Sequence, residues 1–160
     1  MARLVFEENT RIKFVTTLAS KTAPSAATIN AGTDITALVA KDGVNPGTSE
    51  NMVDTGDIST AFDAQTIGSW GANLALTFYK DDATDTAWDL FPRGTTGNIV
   101  IAPFGFGGAS NAAASGDKVY VFPVQAQQPQ IAPSAANERQ SFTTTFAVTS
   151  EPAYRAVVAA

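Results

Sequence analysis

The sequence contains neither cysteine nor histidine. Without cysteine the chain can form no disulfide bond and offers no thiolate ligand to a metal ion. Without histidine it lacks the side chain that most often acts as a general base or metal ligand near neutral pH. Its many serine and threonine hydroxyls therefore have no imidazole to activate them as nucleophiles. We predict that the protein is not an enzyme and has no cofactor.

A long uninterrupted apolar run is also missing. Within residues 1–21 the charged side chains of Glu7, Glu8, Arg11 and Lys13 interrupt the apolar residues. This stretch therefore resembles neither the core of a secretory signal nor a membrane span. We expect a protein that is made and used without crossing a membrane by the usual route and that has no membrane partner.

Basic residues are scarce in the middle of the chain. Lys80 is the one base within residues 42–91, and the net charge of the whole chain is −5. The same stretch carries nine acids: Asp42, Glu50, Asp54, Asp57, Asp63, Asp81, Asp82, Asp85 and Asp89. Gripping nucleic acid requires Lys and Arg to replace phosphate counterions, so this stretch argues against direct nucleic-acid binding. The simpler alternative is that the acids only keep loops soluble.

What the sequence does contain is two clear alternations of apolar and polar residues, at 69–80 and 141–149. A period of two is typical of a strand with one buried face. In the first alternation the even positions are apolar, and in the second the phenylalanines point inward and the hydroxyls outward. The predicted core anchors on these strands are Trp70, Phe78, Phe142 and Phe146.

A short amphipathic helix is predicted between them. Residues 83–91 place Trp88 and Phe91 on one apolar side, and these two aromatic residues are further predicted core anchors. Asp82 is the predicted N-cap, and Pro92 ends the helix.

The segment 41–57 is rich in turn-forming residues, with Asp-Gly, Asn-Pro-Gly and Thr-Gly-Asp sequences. It is predicted to be a long loop, which in a compact domain is usually functional or mobile. Further strands are predicted at 28–40, 58–67, 98–103, 118–127 and 154–159, with 11–18 as a strand or an extended arm. Pro123 would place its strand at a sheet edge or a bulge.

About seven strands and one helix indicate a mainly β fold: an antiparallel β-sandwich or partly closed barrel with one short flanking α-helix. A length of 160 residues suits a single domain over 1–160, with an N-terminal arm at about 1–22 and the long loop at about 41–57. An open sheet has edges that must be protected or paired with another copy, so assembly is plausible on structural grounds.

Two segments allow a chemical alternative. Asp81, Asp82 and Asp85 could offer oxygen ligands to calcium, but they lack the spacing of a calcium loop, and helix capping explains them more simply. The glycine-rich residues 105–108 are superficially similar to a phosphate-cradling loop, but no Lys-Ser/Thr follows, so a flexible turn is favoured. We predict no catalytic residues and no metal site.

Four segments in this order resemble a known family. They are Ala31–Thr36 before the polar loop, Leu76–Asp82 at the entry to the helix, Gly97–Gly105, and Phe142–Tyr154. They are similar to segments of the major tail tube proteins of long, non-contractile tailed bacteriophages, and the resemblance extends over nearly the whole chain.

This resemblance implies a β-sandwich flanked by one helix, six copies to a ring, and rings stacked into a hollow tube that conducts the genome. It implies a virion protein, assembled in the host cytoplasm, whose partners are itself, a tape-measure protein inside the tube, and terminator and distal-tail proteins at its ends. In that setting the long loop is expected to join stacked rings. The candidate stacking residues are Asp42, Asn45, Glu50, Asn51, Asp54 and Asp57.

An acidic channel would repel the phosphate backbone and let DNA pass without specific binding. The candidate lumen acids are Asp54, Asp57 and Asp63. Other functions stay open: a tail terminator or head-decoration protein, or a soluble carbohydrate-binding β-sandwich. For the last, Trp70 and Trp88 are interpreted as core residues rather than as a sugar-stacking platform.

Overall fold

The computed structural model describes residues 6–133 and 135–160, so the first five residues of the predicted N-terminal arm lie outside it. The described residues form nine strands in one antiparallel sheet. The strands are β1 Arg11–Val15, β2 Thr33–Asp34, β3 Val39–Asp54, β4 Gln65–Tyr79, β5 Thr96–Ala102, β6 Lys118–Ala126, β7 Gln130–Ile131, β8 Ser141–Val148 and β9 Ala153–Val157. The helices are α1 Phe6–Asn9, α2 Ala26–Ala31 and α3 Thr86–Leu90, with a 3₁₀ turn at Ala109–Asn111.

The sheet runs in the order β2-β1-β5-β6-β8-β4-β3, with β9 beside β6 and β7 beside β8. It curls without closing on itself, which confirms the predicted mainly β, sandwich-like antiparallel fold. None of the described helices is long and apolar enough to cross a membrane.

The curl creates two apolar cores on opposite faces of β5 and β6. Ile99 and Ile101 point into a larger core shared with β1, β4 and β8, whereas Val100 and Ala102 point into a smaller core shared with β9 and α2. Alternating side chains of a strand face opposite sides of the sheet, so a stretch of β5 with a core on each side must be apolar at consecutive positions. This explains the continuous apolar run Ile99–Ala102.

α3 covers the larger core. Phe91, which follows α3, is fully buried and contacts the rings of Phe14, Phe78 and Phe146 at centroid distances of 5.0, 5.5 and 5.1 Å. Trp88 is half-buried and packs edge-on against Phe142 at 5.0 Å. The structure therefore buries four of the six predicted anchors completely and Trp88 in part.

Trp70 is the exception, and its assignment to the core is wrong. Its side chain is 43% exposed, although Leu74 and Leu76 on the same face of β4 are fully buried. The reason is that β8 pairs with β4 only from Asn73 to Tyr79, so the core ends before Trp70 is reached.

The helix is shorter than predicted. It begins at Thr86 with Asp85 in the N-cap position, where φ is 47° and the side chain makes no capping hydrogen bond. Asp82 is therefore not the cap. Asp85 pairs instead with the ammonium of Lys80 at 3.2 Å, which ties the turn before α3 to the end of β4.

The prediction of a long loop at 41–57 is wrong, because most of these residues belong to strand β3. Their register with β4 runs from Val44 opposite Leu76 to Asp54 opposite Gln65. Proline is tolerated here because β3 is the last strand of the sheet, and Pro46 needs no amide hydrogen for a second neighbour. A turn-forming composition thus coincides with an edge strand.

Of the two alternatives for 11–18, the strand is confirmed over residues 11–15, because β1 places four consecutive buried residues in the sheet. Two other predictions need correction. The strand predicted at 28–40 is wrong for its first residues, because residues 26–31 form α2. The Ser25 hydroxyl caps this helix by accepting a hydrogen bond from the Thr28 amide at 3.4 Å. Pro123 lies in a central strand, between the part of β6 that pairs with β9 and the part that pairs with β8.

Candidate assembly surface

β3 and β4 form a hairpin that extends beyond the rest of the sheet. From Thr48 to Asp54 and from Gln65 to Ala72 the two strands pair only with each other, because β8 pairs with β4 no further than Asn73. We call these residues the ribbon, and residues 55–64, which connect them, the tip. Seven residues at about 3.3 Å each give the ribbon a length of about 23 Å.

The two faces of the ribbon differ in chemistry. Glu50 pairs with Trp70 and Met52 with Ile67, and one residue is inserted in β4 between these pairs. Met52, Ile67 and Trp70 therefore share the face that continues the core side of β4, and they are 56%, 69% and 43% exposed. This is the apolar face of the ribbon.

The opposite, polar face carries a side-chain hydrogen bond. The amide of Asn51 donates to the hydroxyl of Ser69 at 3.0 Å. Val53 and Thr66 form the next pair on this face. An isolated two-stranded ribbon is marginally stable in water, and a row of exposed apolar residues is typical of a protein–protein contact.

The predicted stacking residues are all exposed and all belong to the hairpin. Asp42, Asn45, Glu50, Asn51 and Asp54 lie on β3, and Asp57 lies in the tip. They are not a cluster: Asn45 and Asp54 are nine residues apart in a strand, about 30 Å. Asn45 and Asn51 belong to the polar face, whereas Glu50 and Asp54 belong to the apolar face.

The three candidate lumen acids, in contrast, come together at the distal end of the hairpin. Asp54 accepts a hydrogen bond from the Gly56 amide at 2.9 Å, and Asp57 accepts one from the Ser59 amide at 2.8 Å. The Ser59 hydroxyl also donates to Asp57, and these two bonds lower the pKa of the Asp57 carboxyl below its usual value. Asp54 and Asp57 therefore shape the turn as well as carrying charge.

The tip also exposes two large apolar side chains, Ile58 and Phe62. The prediction of a strand at 58–67 is wrong for its first seven residues, since β4 begins at Gln65. The tip is closed instead by the hydrogen bond from the Thr55 amide to the Ala64 carbonyl at 2.8 Å.

A groove that sequence reasoning missed lies at the open mouth of the larger core, with a volume of about 490 Å³. We call it the tyrosine groove; it is lined by Val44, Pro46, Ile101, Tyr120, Phe122 and Tyr154. These residues come from four strands, so no local pattern reveals the groove. The one sequence signal is Tyr120, an exposed aromatic residue within an otherwise apolar strand.

The groove has a wall of packed aromatic rings. Tyr154 contacts Phe122 and Tyr120 edge-on, with centroids 5.6 and 6.3 Å apart. Burial raises the pKa of the Tyr154 hydroxyl. The two tyrosines are nevertheless more than a third exposed, so the wall presents aromatic surface outward.

The two segments considered as a calcium site and as a phosphate-binding loop make hydrogen bonds or ion pairs within the chain. Asp81 accepts a hydrogen bond from Thr84 at 3.1 Å, while Asp85 pairs with Lys80. The Gly107 amide donates to the Asp117 carboxylate at 3.0 Å, so it is not free to bind a phosphate. Within residues 6–133 and 135–160 no group of three or more acidic side chains is arranged to hold a metal ion.

Comparison with known proteins gives a consistent result. The family model described as phage tail tube protein matches residues 1–160. Among solved structures, a chain of the GTA particle tail, refined helically with C6 symmetry, has a TM-score of 0.57 at 15% identity over 97% of this chain and 100% of that chain. A chain of the 6-fold symmetrised anti-feeding prophage baseplate has a TM-score of 0.56 at 12% identity, with 96% of each chain covered. No curated protein sequence matches the chain.

Proposed function

Because the chain belongs to the phage tail tube protein family, we propose that it self-assembles into hexameric rings that stack into a hollow tube and conduct the genome during ejection. It is a structural component of the virion tail, and the proposed role is not enzymatic. The six-fold symmetry of the assemblies that contain the two structural neighbours described above supports this ring size.

The exposed ribbon, together with its tip, is the observation that carries the proposal. Six of the eleven large apolar side chains that the described residues expose fall between Met52 and Trp70. Apolar surface concentrated on one projecting element is costly in water unless a partner covers it. The unpaired edge of β3 is a further surface that another copy can cover.

Two roles follow for the polar residues of the hairpin. Asn45 and Asn51, with Asp42 at the base of the hairpin, are the proposed contacts to the next ring. Asp54, Asp57 and Asp63 at the distal end would form rings of like charge along the channel, so that DNA slides without binding. At the ends and inside of the tube, terminator, distal-tail and tape-measure proteins are the proposed partners.

Negative-stain microscopy of the purified protein tests this proposal. Over a series of protein concentrations we expect single rings with six-fold symmetry followed by hollow tubes. Growth that stops at single rings would instead indicate a tail terminator. A chain that stays monomeric at every concentration, or that binds a glycan array, would contradict the proposal.

A further inference from the structure

We propose that the apolar face of the ribbon of one copy docks in the tyrosine groove of the neighbouring copy in the same ring. The inference rests on the proposed function and specifies which two surfaces form the contact within a ring. The occupant of the groove is thus a second copy of this chain.

The two surfaces are alike in polarity. The ribbon projects a row of apolar side chains, Met52, Ile67 and Trp70. The groove is concave, and its lining is aromatic and aliphatic. Burying a large aromatic side chain in an aromatic-lined cleft is typical of the energetic centre of a protein–protein interface.

The ribbon of the same copy cannot fill the groove. Val44 and Pro46, which form part of the groove, belong to the base of the same hairpin and are paired in register with Leu76 and Leu74. The pairing continues to Asp54, so the ribbon extends away from the groove. Folding it back would break these backbone hydrogen bonds.

The arrangement must be head-to-tail. Ribbon and groove are different surfaces of the chain. When two copies join through them, one copy keeps a free groove and the other keeps a free ribbon, so further copies can be added. Such contacts close into a ring when the rotation between neighbours is right. A ring of this kind needs no second contact surface within the ring.

Charges at the rim fit the same orientation. Glu50 lies two residues before Met52, on the same apolar face of the ribbon. Lys118 is exposed and lies two residues before Tyr120 on the same strand, and therefore on the same face of the sheet. Opposite charges at the rim of an apolar contact favour one docking orientation over others.

Disulfide trapping tests the contact, since the chain has no cysteine and every disulfide must come from an introduced pair. The test variant carries Ile67→Cys and Tyr120→Cys in one chain. The matched control carries Thr66→Cys and Tyr120→Cys, because Thr66 lies next to Ile67 but on the polar face. After assembly and mild oxidation, the test variant should give a non-reducing ladder up to the hexamer, and the control at least tenfold less cross-linked product.

The outcomes separate this inference from the proposed function. Six-fold tubes without a ladder, or with equal ladders in both variants, would overturn the docking contact and leave the tube function standing. A product that stops at the dimer would overturn the head-to-tail arrangement. Absence of rings and tubes in the unmodified protein would overturn the proposed function itself.

A second measurement does not depend on cysteine chemistry. Trp70→Ala should raise the lowest protein concentration that supports assembly by at least tenfold, whereas Val53→Ala on the polar face should change it less than twofold. Both residues are exposed, so thermal unfolding of the free subunit should be alike in the two variants. Equal effects on assembly would contradict the inference.

Discussion

Phe91 shows at the scale of one residue how the larger core is held together. α3 has only five residues, too few to be stable without tertiary contacts. Phe91 follows it directly and packs against rings from β1, β4 and β8. The aromatic contact therefore fixes the position of the helix, and not the reverse.

We expect Phe91→Ala to lower the free energy of unfolding by about 3–5 kcal/mol, because it removes a fully buried ring and leaves a cavity. Trp88→Ala should cost about 3 kcal/mol, at the low end of that range, since Trp88 is only half-buried. Urea unfolding of the free subunit measures both values. Phe104→Ala, at an exposed phenylalanine, is the control and should leave the unfolding midpoint nearly unchanged. Equal stability of the Phe91 and Phe104 variants would refute this account of the core.

The contrast between Phe78 and Trp70 shows what an alternating pattern can predict. Both residues lie on the same face of β4, and the pattern identifies that face correctly for Phe78, Leu76 and Leu74. It cannot predict where the neighbouring strand ends. Trp70 is exposed because β8 stops pairing before it, a fact that depends on residues about 75 positions further along the chain.

At the scale of the element, the hairpin was the least predictable part of the fold. Asn45, Pro46 and Gly47 have the composition of a turn, yet each is paired with a residue of β4. Turn-forming residues disfavour a central strand, but an edge strand with one neighbour tolerates them. The sequence pattern thus predicted an unusual segment in the right place and assigned it the wrong structure.

The groove was beyond sequence reasoning for a related reason. Its lining comes from β3, β5, β6 and β9, which the curl of the sheet brings together. Asp54, Asp57 and Asp63 lie within ten residues of one another in the sequence, so their proximity in space could be predicted from the sequence. Proximity along the chain is readable from sequence, whereas proximity across a curved sheet is not.

Removing the ribbon tests whether the hairpin serves assembly rather than folding. Residues 48–72 are replaced by Asn-Gly, which forms a two-residue hairpin turn between Gly47 and Asn73, a pair already opposite each other. The core is untouched, so we expect a folded monomer whose midpoint of thermal unfolding is close to that of the intact chain, and no rings or tubes by microscopy.

The matched control keeps the ribbon and changes only its polar face, with Val53→Ala and Thr66→Ala. This variant should still assemble. Tubes of normal length from the shortened chain, or an unfolded shortened chain, would show that the hairpin does not have the role assigned to it.

At the scale of the whole molecule, three surfaces are unfavourable to expose in a single copy and can be covered in a ring. They are the free edge strand, the uncovered apolar ribbon and the open groove. Each exposes unpaired backbone groups or apolar side chains to water, and covering them is favourable. Assembly would cover all three. The concentration of negative charge at the distal end of the hairpin is the remaining feature, and it bears on what passes through the tube.

In a six-fold ring each tip acid would be repeated six times, and at physiological salt a screening length of about 8 Å lets such a ring act on DNA close to the wall. Asp63 is the best site for a test, because Asp54 and Asp57 also hold the turn.

We expect unmodified tubes to bind no duplex DNA. Asp63→Lys tubes should bind it more tightly as salt is lowered, since each new cation can replace phosphate counterions, and phage carrying this change should eject the genome more slowly. Asp82→Lys, which makes the same charge change at an exposed position outside the hairpin, should do neither. Equal DNA binding by the two variants, or steeply salt-dependent binding by unmodified tubes, would mean that the tip acids do not line the channel.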